Sequence, residues 1–317
     1  MNPFSAIYCN NTKELKLYID KNDINIRNEK EMSLLEYAIV FNNPDAFELL
    51  LDNYIDVNIK DRYGDTAAHY CVTYNRMGYL KSLINHNADL SIKNNDGETP
   101  LYKACSLGRE DMVKLFVEAK PLDIHEFNGK HESIFMALIR SRNMNLLSSI
   151  EVDNYVLDEK DYAGNTPLHI AAKRGDITVV KYLLDKGAFV NSKNLNRETP
   201  LFFAAENHHK AVIDALIKHG AIVDCISKLH DTIYHRIHDD DLEGYINMKA
   251  AYYGVDQYYI DYPLHYSIIM EDFERTVKYS EMSNTNRADK YGFKPLALAK
   301  KVGNERIIEF LNKKFEK

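Results

Sequence analysis

Residues 161–194 constrain the fold more than any other stretch, because their turn signals have copies elsewhere at a spacing of about 33 residues. Thr166 before Pro167 reads as an N-cap hydroxyl followed by a proline at the first helical position, where no backbone N–H is needed. Leu168, Ala171 and Ala172 give the short helix that follows a narrow face of small residues, and Gly175 supplies a left-handed residue to end it. Val179, Val180, Leu183 and Leu184 then recur at helical spacing, and Gly187 ends the second helix. Two short antiparallel helices cannot bury both apolar faces alone and need copies of themselves on either side.

The stretch resembles an ankyrin repeat. The match rests on Thr166-Pro167-Leu168-His169-Ile170-Ala171-Ala172, Gly175, the Val179-Val180 and Leu183-Leu184 pairs, and Gly187-Ala188 with Val190-Asn191. The resemblance implies an all-α solenoid of about nine to ten helix pairs with short hairpin loops.

Laid along the chain as a single domain over 1–317, the pattern predicts an N-terminal cap at 1–28, with Asn11 at the inter-helix glycine position. Repeats follow at 29–60, 61–93, 94–127, 128–160, 161–194 and 195–227, then degenerate repeats at 228–287 and a cap at 288–317. Pro100, Pro167, Pro200, Pro263 and Pro295 all fall at the same repeat position. The pattern is poorest at 128–160, where Arg142-Asn143 replaces the glycine, and at 228–260, where Asp239-Asp240-Asp241 sits at the expected turn. A firm block is expected to begin near Asp161, following a softer segment.

Charge and composition narrow the function. A formal net charge of −7 with 40 Lys and Arg argues against a polyanion-binding surface, so no nucleic-acid partner is expected. No apolar run approaches the length of a membrane span and no leader pattern opens the chain, so no membrane partner is expected. The cysteines Cys9, Cys71, Cys105 and Cys225 lack metal or redox spacing; Cys71 and Cys105 fall where the template has alanine, as in a cytoplasmic, reducing compartment. No phosphate loop, dinucleotide fingerprint, zinc-protease or nucleophile-elbow motif occurs, so neither enzyme activity nor a cofactor is expected. A monomer is expected.

His69, His169 and His265 occupy the fourth place of the Thr-Pro-Leu-His core, where the resemblance implies a structural brace. His208, His209, His219, His230, His235 and His238 form a denser group, and His235, His238 and Asp239 would hold a metal only if they converged. The Asp239–Asp241 run, with Asp231 and Glu243, reads as a solvated helix start or a docking point for a basic surface. Tyr252, Tyr253, Tyr258, Tyr259, Ile260 and Tyr262 make an aromatic patch, read as a plug or a second docking site.

The positive case rests on 22 tyrosines without a tryptophan. The resemblance implies a partner-protein surface at the hairpin tips and the groove-facing end of each first helix. Carried onto this chain, the positions are Arg62, Tyr63, Asp65, Thr73 and Tyr74, then Asn95, Asp96, Glu98, Ser106 and Leu107. They continue with Tyr162, Asn165, Lys173 and Arg174, then Leu195, Asn196, Glu206 and Asn207, and finally Lys290 and Tyr291. Asn58 and Asn191 resemble the asparagines that hydroxylases modify in such repeats; the alternative is turn stabilisation. Enrichment in Asn, Lys, Ile, Asp and Tyr is similar to poxvirus and intracellular-bacterial ankyrin proteins that engage host factors, although no F-box-like appendage is read. The expected function is non-enzymatic protein binding. The alternatives are an enzyme or metal protein built on 228–287, and an intracellular scaffold or toxin-immunity protein.

Overall fold

The computed structural model describes residues 2–119, 123–150, 152, 154–237, 239–281 and 286–315; the side chains of residues 119, 154, 252, 256 and 257 lie outside that description. Among the described residues there are 22 helices and no named strand. They form ten pairs and two extra helices, distributed over two compact units, residues 1–150 and 151–317.

The first unit holds α1 (Pro3–Tyr8), α2 (Thr12–Ile19), α3 (Leu34–Val40), α4 (Pro44–Asp52), α5 (Ala67–Thr73), α6 (Met77–Asn85), α7 (Pro100–Ser106), α8 (Glu110–Ala119), α9 (Ile134–Ser141) and α10 (Met144–Ser148). First helices α1, α3, α5, α7 and α9 stack on one another in that order, and each packs on its own second helix. Ala38, Cys71, Ala104 and Cys105 are fully buried where the first helices approach, which explains the requirement for small side chains there.

The second unit opens with α11 (Asn154–Asp158), then stacks the pairs α12 (Pro167–Arg174) with α13 (Ile177–Asp185) and α14 (Pro200–Glu206) with α15 (Lys210–Lys218). Next come α16 (Ile233–Arg236), α17 (Asp240–Tyr252) and α18 (Val255–Asp261). The unit ends with α19 (Pro263–Ile269), α20 (Phe273–Ser280), α21 (Pro295–Val302) and α22 (Glu305–Phe315). Leu168, Val179, Val180, Leu183, Leu201, Val212, Ile213 and Leu216 are buried at 0% exposure, so the second-helix pattern read from the sequence is the core.

Each hairpin is built on a side chain. Asp61, Asn94, Asn128, Asp161, Asn194 and Asp289 each accept the backbone N–H groups two and four residues further on, at 2.8–3.1 Å. Three residues after each of these Asx positions the backbone turns left-handed: Gly64, Gly97, His131, Gly164, Arg197 and Gly292. Neighbouring tips are then joined by Asn95 N–H to Tyr63 C=O, Gly129 N–H to Asp96 C=O and Leu195 N–H to Ala163 C=O, at 2.6–2.9 Å.

Two local expectations are corrected. In the N-terminal cap the left-handed residue is Asn10, while Asn11 caps α2 by accepting the Glu14 N–H. At 228–262 the acidic run does not form the turn: α16 is a single turn ending in extended Ile237, and Asp239 caps α17, with Asp240 and Asp241 in its first turn; among the described residues none between α16 and α17 is left-handed. Gly254 does turn left-handed, yet it opens α18 where the other pairs have a loop.

After this interruption the last two pairs do not simply extend the row. Phe293 meets Phe189 edge-on at 5.6 Å. The Lys193 ammonium donates to the Ile269 carbonyl at 2.8 Å and pairs with Glu271 at 2.9 Å. Lys301 pairs with Asp158. The equivalent lysines Lys60, Lys93 and Lys160 each donate instead to a carbonyl 33 or 34 residues ahead. The C-terminal pairs therefore fold back onto the loops of the 161–227 pairs.

Candidate protein-binding groove

The histidines of the Thr-Pro-Leu-His core are structural. His169 is buried, its Nδ1 accepts the Thr166 N–H at 3.1 Å, and its Nε2 therefore carries the proton that meets the Glu198 carbonyl at 3.0 Å. His69 repeats this geometry with Thr66 and Glu98, and the His265 Nε2 reaches the Phe293 carbonyl at 2.9 Å. Burial keeps all three rings neutral, lowering His169 to about 4 and shifting His69 and His265 in the same direction. Each ring thus ties one pair to the next.

The denser histidine group has separate duties. His235 braces Thr232, His209 reaches the Lys173 carbonyl, His219 bonds the Ala215 carbonyl and His208 lies 3.4 Å from Asp239. His238 lies outside the described residues. Among the described residues no three potential ligands converge on a metal site. Asp239 caps α17 and the next carboxylates occupy its first turn, a favourable place for negative charge.

The aromatic patch splits. Tyr258 is buried, donates its hydroxyl to Asp289 and lies 5.8 Å from the Tyr291 ring, whereas Tyr259 and Ile260 are exposed. Tyr291 is half-buried against Gly220, where a Cβ would sit 2.2 Å from the ring. Lys290 lies over the Tyr258 and Tyr291 rings, so this pair belongs to the fold-back contact rather than to an open tip. Asn191 is buried, donating to the Gly220 carbonyl and accepting the Ile222 N–H, and Asn58 likewise accepts the Asp89 N–H. Both asparagines act as turn braces.

The first unit gathers its tip residues into one concavity. Arg62, Tyr63 and Tyr74 line a groove of about 810 Å³ together with Phe4, Arg27, Lys30, Met32, Tyr37, Phe41 and Tyr70. Tyr63 and Tyr74 are 62% and 42% exposed, and Phe41 is 40% exposed. Its rings pair as Phe4 on Tyr37 at 5.2 Å, Tyr37 on Phe41 at 4.5 Å and Tyr70 on Tyr74 at 6.2 Å, with Tyr8, outside the lining, edge-on to Phe41 at 5.1 Å. Asp61 anchors the floor by accepting the Tyr70 hydroxyl at 2.8 Å.

Phe4, Tyr8, Tyr37, Phe41 and Tyr70 were not among the expected site residues, although the sequence carries their signal. Phe4/Tyr8, Tyr37/Phe41 and Tyr70/Tyr74 are three aromatic pairs spaced i,i+4 on one helix face, recurring at the repeat period. The fourth repeat replaces them with Lys103/Leu107, and Lys103 pairs with Asp65 at 2.8 Å.

The other expected positions fall in two groups. Asp65, Glu98 and Asn165 are engaged within the hairpins, and Thr73 and Ser106 bond helix carbonyls. Asn95 joins two tips through Arg62 C=O, while Asp96 and Leu107 are exposed. In the second unit Tyr162, Lys173, Arg174, Leu195, Asn196, Glu206 and Asn207 are exposed, with the Lys173 ammonium over the Phe203 ring at 5.7 Å.

Stacked helix pairs joined by Asx-built hairpins, with exposed aromatics on the face between tips and first helices, define a helical-repeat scaffold. The descriptions "Ankyrin repeats (3 copies)", at residues 58–128 and 127–228, and "Ankyrin repeats (many copies)", at 35–78, match more than half of the chain. The chain belongs to the ankyrin-repeat family. It is 41% identical over 75 residues to the human transient receptor potential cation channel subfamily A member 1, covering 24% of this chain and 6% of that protein. It is 37% identical over 84 residues to the mouse protein fem-1 homolog A-A, covering 22% and 13%. An ankyrin repeat protein of fowlpox virus is 28% identical over 118 residues, covering 37% and 20%. The matches span a fifth or less of these relatives' lengths. Repeats of this family are in general protein-interaction modules rather than enzymes. No described helix is long and apolar enough to cross a membrane.

Proposed function

We propose that the chain is a non-enzymatic binding module that recognises a partner protein through the concave face of its first helices and the adjoining hairpin tips. The observation that carries this reading is the groove of the first unit, where exposed Tyr63, Tyr74 and Phe41 share one concavity with Arg62. Tyrosine and arginine on a preorganised surface supply contact area at little ordering cost. Within the second unit, exposed Tyr162, Lys173, Arg174 and Leu195 form a proposed surface of the same kind.

We place the protein in a reducing cytoplasm, its own or that of an infected host. Cys71, Cys105 and Cys225 are buried free thiols, and burial raises the latter two to about 12 and about 11. The likeness to a fowlpox virus ankyrin protein supports a host-directed role. The test is a pull-down with the full chain and with a Tyr63→Ala, Tyr74→Ala, Tyr162→Ala, Arg174→Ala variant. Loss of the captured partner is expected; unchanged recovery removes these residues from the surface.

A further inference from the structure

Six aromatic residues line up along the first unit as three rungs of a ladder, Phe4/Tyr8, Tyr37/Phe41 and Tyr70/Tyr74, one rung from each of α1, α3 and α5 or its C-cap. Rings this exposed are unusual where the same helices bury alanine and cysteine on the opposite face: Tyr8, Phe41 and Tyr74 are 63%, 40% and 42% exposed. Packed helices lie about 8–10 Å apart, so three rungs span roughly 20 Å, the length of about six residues of extended chain.

The rim gives the ladder a sign. Arg27, Lys30 and Arg62 border the groove beside the exposed carboxylate Glu29, in a chain whose overall charge is −7. Among the described residues none of the three cations is held in an ion pair; Arg62 donates to the backbone carbonyl of Glu29. Of the nearby acids Glu29 and Glu31 are exposed, and three others are muted. Asp61 is buried, with one oxygen taken by the Tyr63 and Asp65 N–H groups and the other by Tyr70. Glu36 is buried beneath the floor, and Asp65 is paired with Lys103. A locally positive rim on a negative protein selects among partners by sign.

We infer that this groove holds an extended acidic peptide segment, whose bulky apolar side chains lie over the Phe4, Tyr37 and Phe41 rings and between the Tyr37/Phe41 and Tyr70/Tyr74 rungs while its carboxylates face Arg27, Lys30 and Arg62. The inference rests on the protein-binding reading above and names the chemistry of its ligand. A single-stranded nucleic acid fits less well. The first two rungs meet edge to face at 81° and 85°, so their rings do not present the row of parallel faces on which successive bases stack.

The test pans a library of random twelve-residue peptides against the full chain, then measures fluorescein-labelled hits by polarisation at 50 and 300 mM NaCl. Enriched peptides are expected to combine Asp or Glu with Phe, Leu or Met. Their binding should weaken at least about tenfold in an R27E/K30E/R62E variant, and also at the higher salt. An R27E/K30E variant leaves the Arg62 contact in place and should show part of the loss; circular dichroism verifies that both variants fold. Failure to enrich any peptide, neutral or basic hits, or a uridine twelve-mer binding more tightly than the best peptide overturns the assignment. Hits that bind the charge-reversed chain normally but fail on Phe41→Ala, Tyr74→Ala overturn the acidic class alone and leave protein binding standing. No enriched peptide together with unchanged pull-down recovery overturns both.

Discussion

Glu31, His131, Arg197 and His230 hold φ values of 59° to 62° at the hairpin position where Gly64, Gly97, Gly164 and Gly292 stand in other repeats. A Cβ at that position is strained. Asn28, Asn128 and Asn194, three residues before Glu31, His131 and Arg197, compensate by each accepting two backbone N–H groups, while Ser227 before His230 accepts one. The Asx signal was available at Asn28, Asp61, Asn94, Asn128, Asp161, Asn194 and Asp289, whereas a search for glycine alone sees only the turns at Asp61, Asn94, Asp161 and Asp289. Glu31→Gly should therefore stabilise the first unit by about 0.5–1 kcal/mol, the relief of strain outweighing the added freedom of the unfolded chain. The reverse change, Gly164→Ala, should destabilise, since its Cβ would lie 2.6 Å from the Leu195 nitrogen. Urea unfolding of both variants checks the pair.

Buried titratable groups set the pH dependence at the same scale. His69, His169 and His265 are held neutral by burial, so the unfolded chain binds their protons first as pH falls below about 6.5. Their contribution is complete above that pH and is lost toward the folded value, about 4 for His169. Glu36 takes the histidine position in its own repeat, and burial pushes its carboxyl up to about 8. Its contribution is complete below the ordinary carboxylate range and is lost as pH rises to about 8. Stability should peak near pH 6.5, and Glu36→Gln should flatten the alkaline limb, where the slope is at most about 1.4 kcal/mol per pH unit. An unchanged alkaline limb in denaturant titrations would count against a neutral Glu36.

At the scale of the element, helix length separates well-formed pairs from weak ones. α13 has nine residues capped by Asp176, which accepts two N–H groups; α10 has five residues between Asn143 and Ser149. Leu146 and Leu147 are buried nearly as well as Leu183 and Leu184, so the contrast lies in hydrogen-bonded turns rather than in apolar burial. A helix with fewer turns opens by local fraying. Hydrogen exchange should protect the amides of Leu183 and Leu184 more strongly than those of Leu146 and Leu147, and equal protection would refute the difference. This contrast was legible, because 128–160 lacks both the proline start and the glycine turn. The course of 228–262 was only partly legible. Thr232 and His235 announce α16 correctly, but Gly254 looks like a repeat's closing glycine and instead opens α18. A left-handed glycine is compatible with either outcome, and only the packing of Val255 and Tyr258 decides.

At the scale of the whole molecule, the sequence announces the number and kind of repeats but not the return of the last two pairs within the second unit. That return depends on residues some 75 positions apart, a separation at which no periodic pattern operates. Lys193 is its clearest marker. It matches Lys60, Lys93 and Lys160 in sequence, yet its ammonium bonds Ile269 and Glu271 instead of the next repeat's carbonyl. The Lys193 side chain is 9% exposed and that of Glu271 23%; burial raises the Glu271 carboxyl, but Lys193 and then Arg197 draw it below its usual range. Removing Lys193 leaves Glu271 to the longer Arg197 contact at 3.5 Å and to Asn304, at a cost of at most about 3 kcal/mol. Lys193→Met keeps the apolar stem and deletes only the charge, so its effect isolates the pair. If the pair fastens α19–α22 to the 161–227 pairs, the variant should unfold in two steps, with proteolytic cleavage appearing first near residues 254–272. Adding Glu271→Gln should then restore part of the loss, because the stranded carboxylate is gone. A variant that melts in one transition at the wild-type temperature would leave Phe189–Phe293 and Tyr291 as the contacts that hold the return.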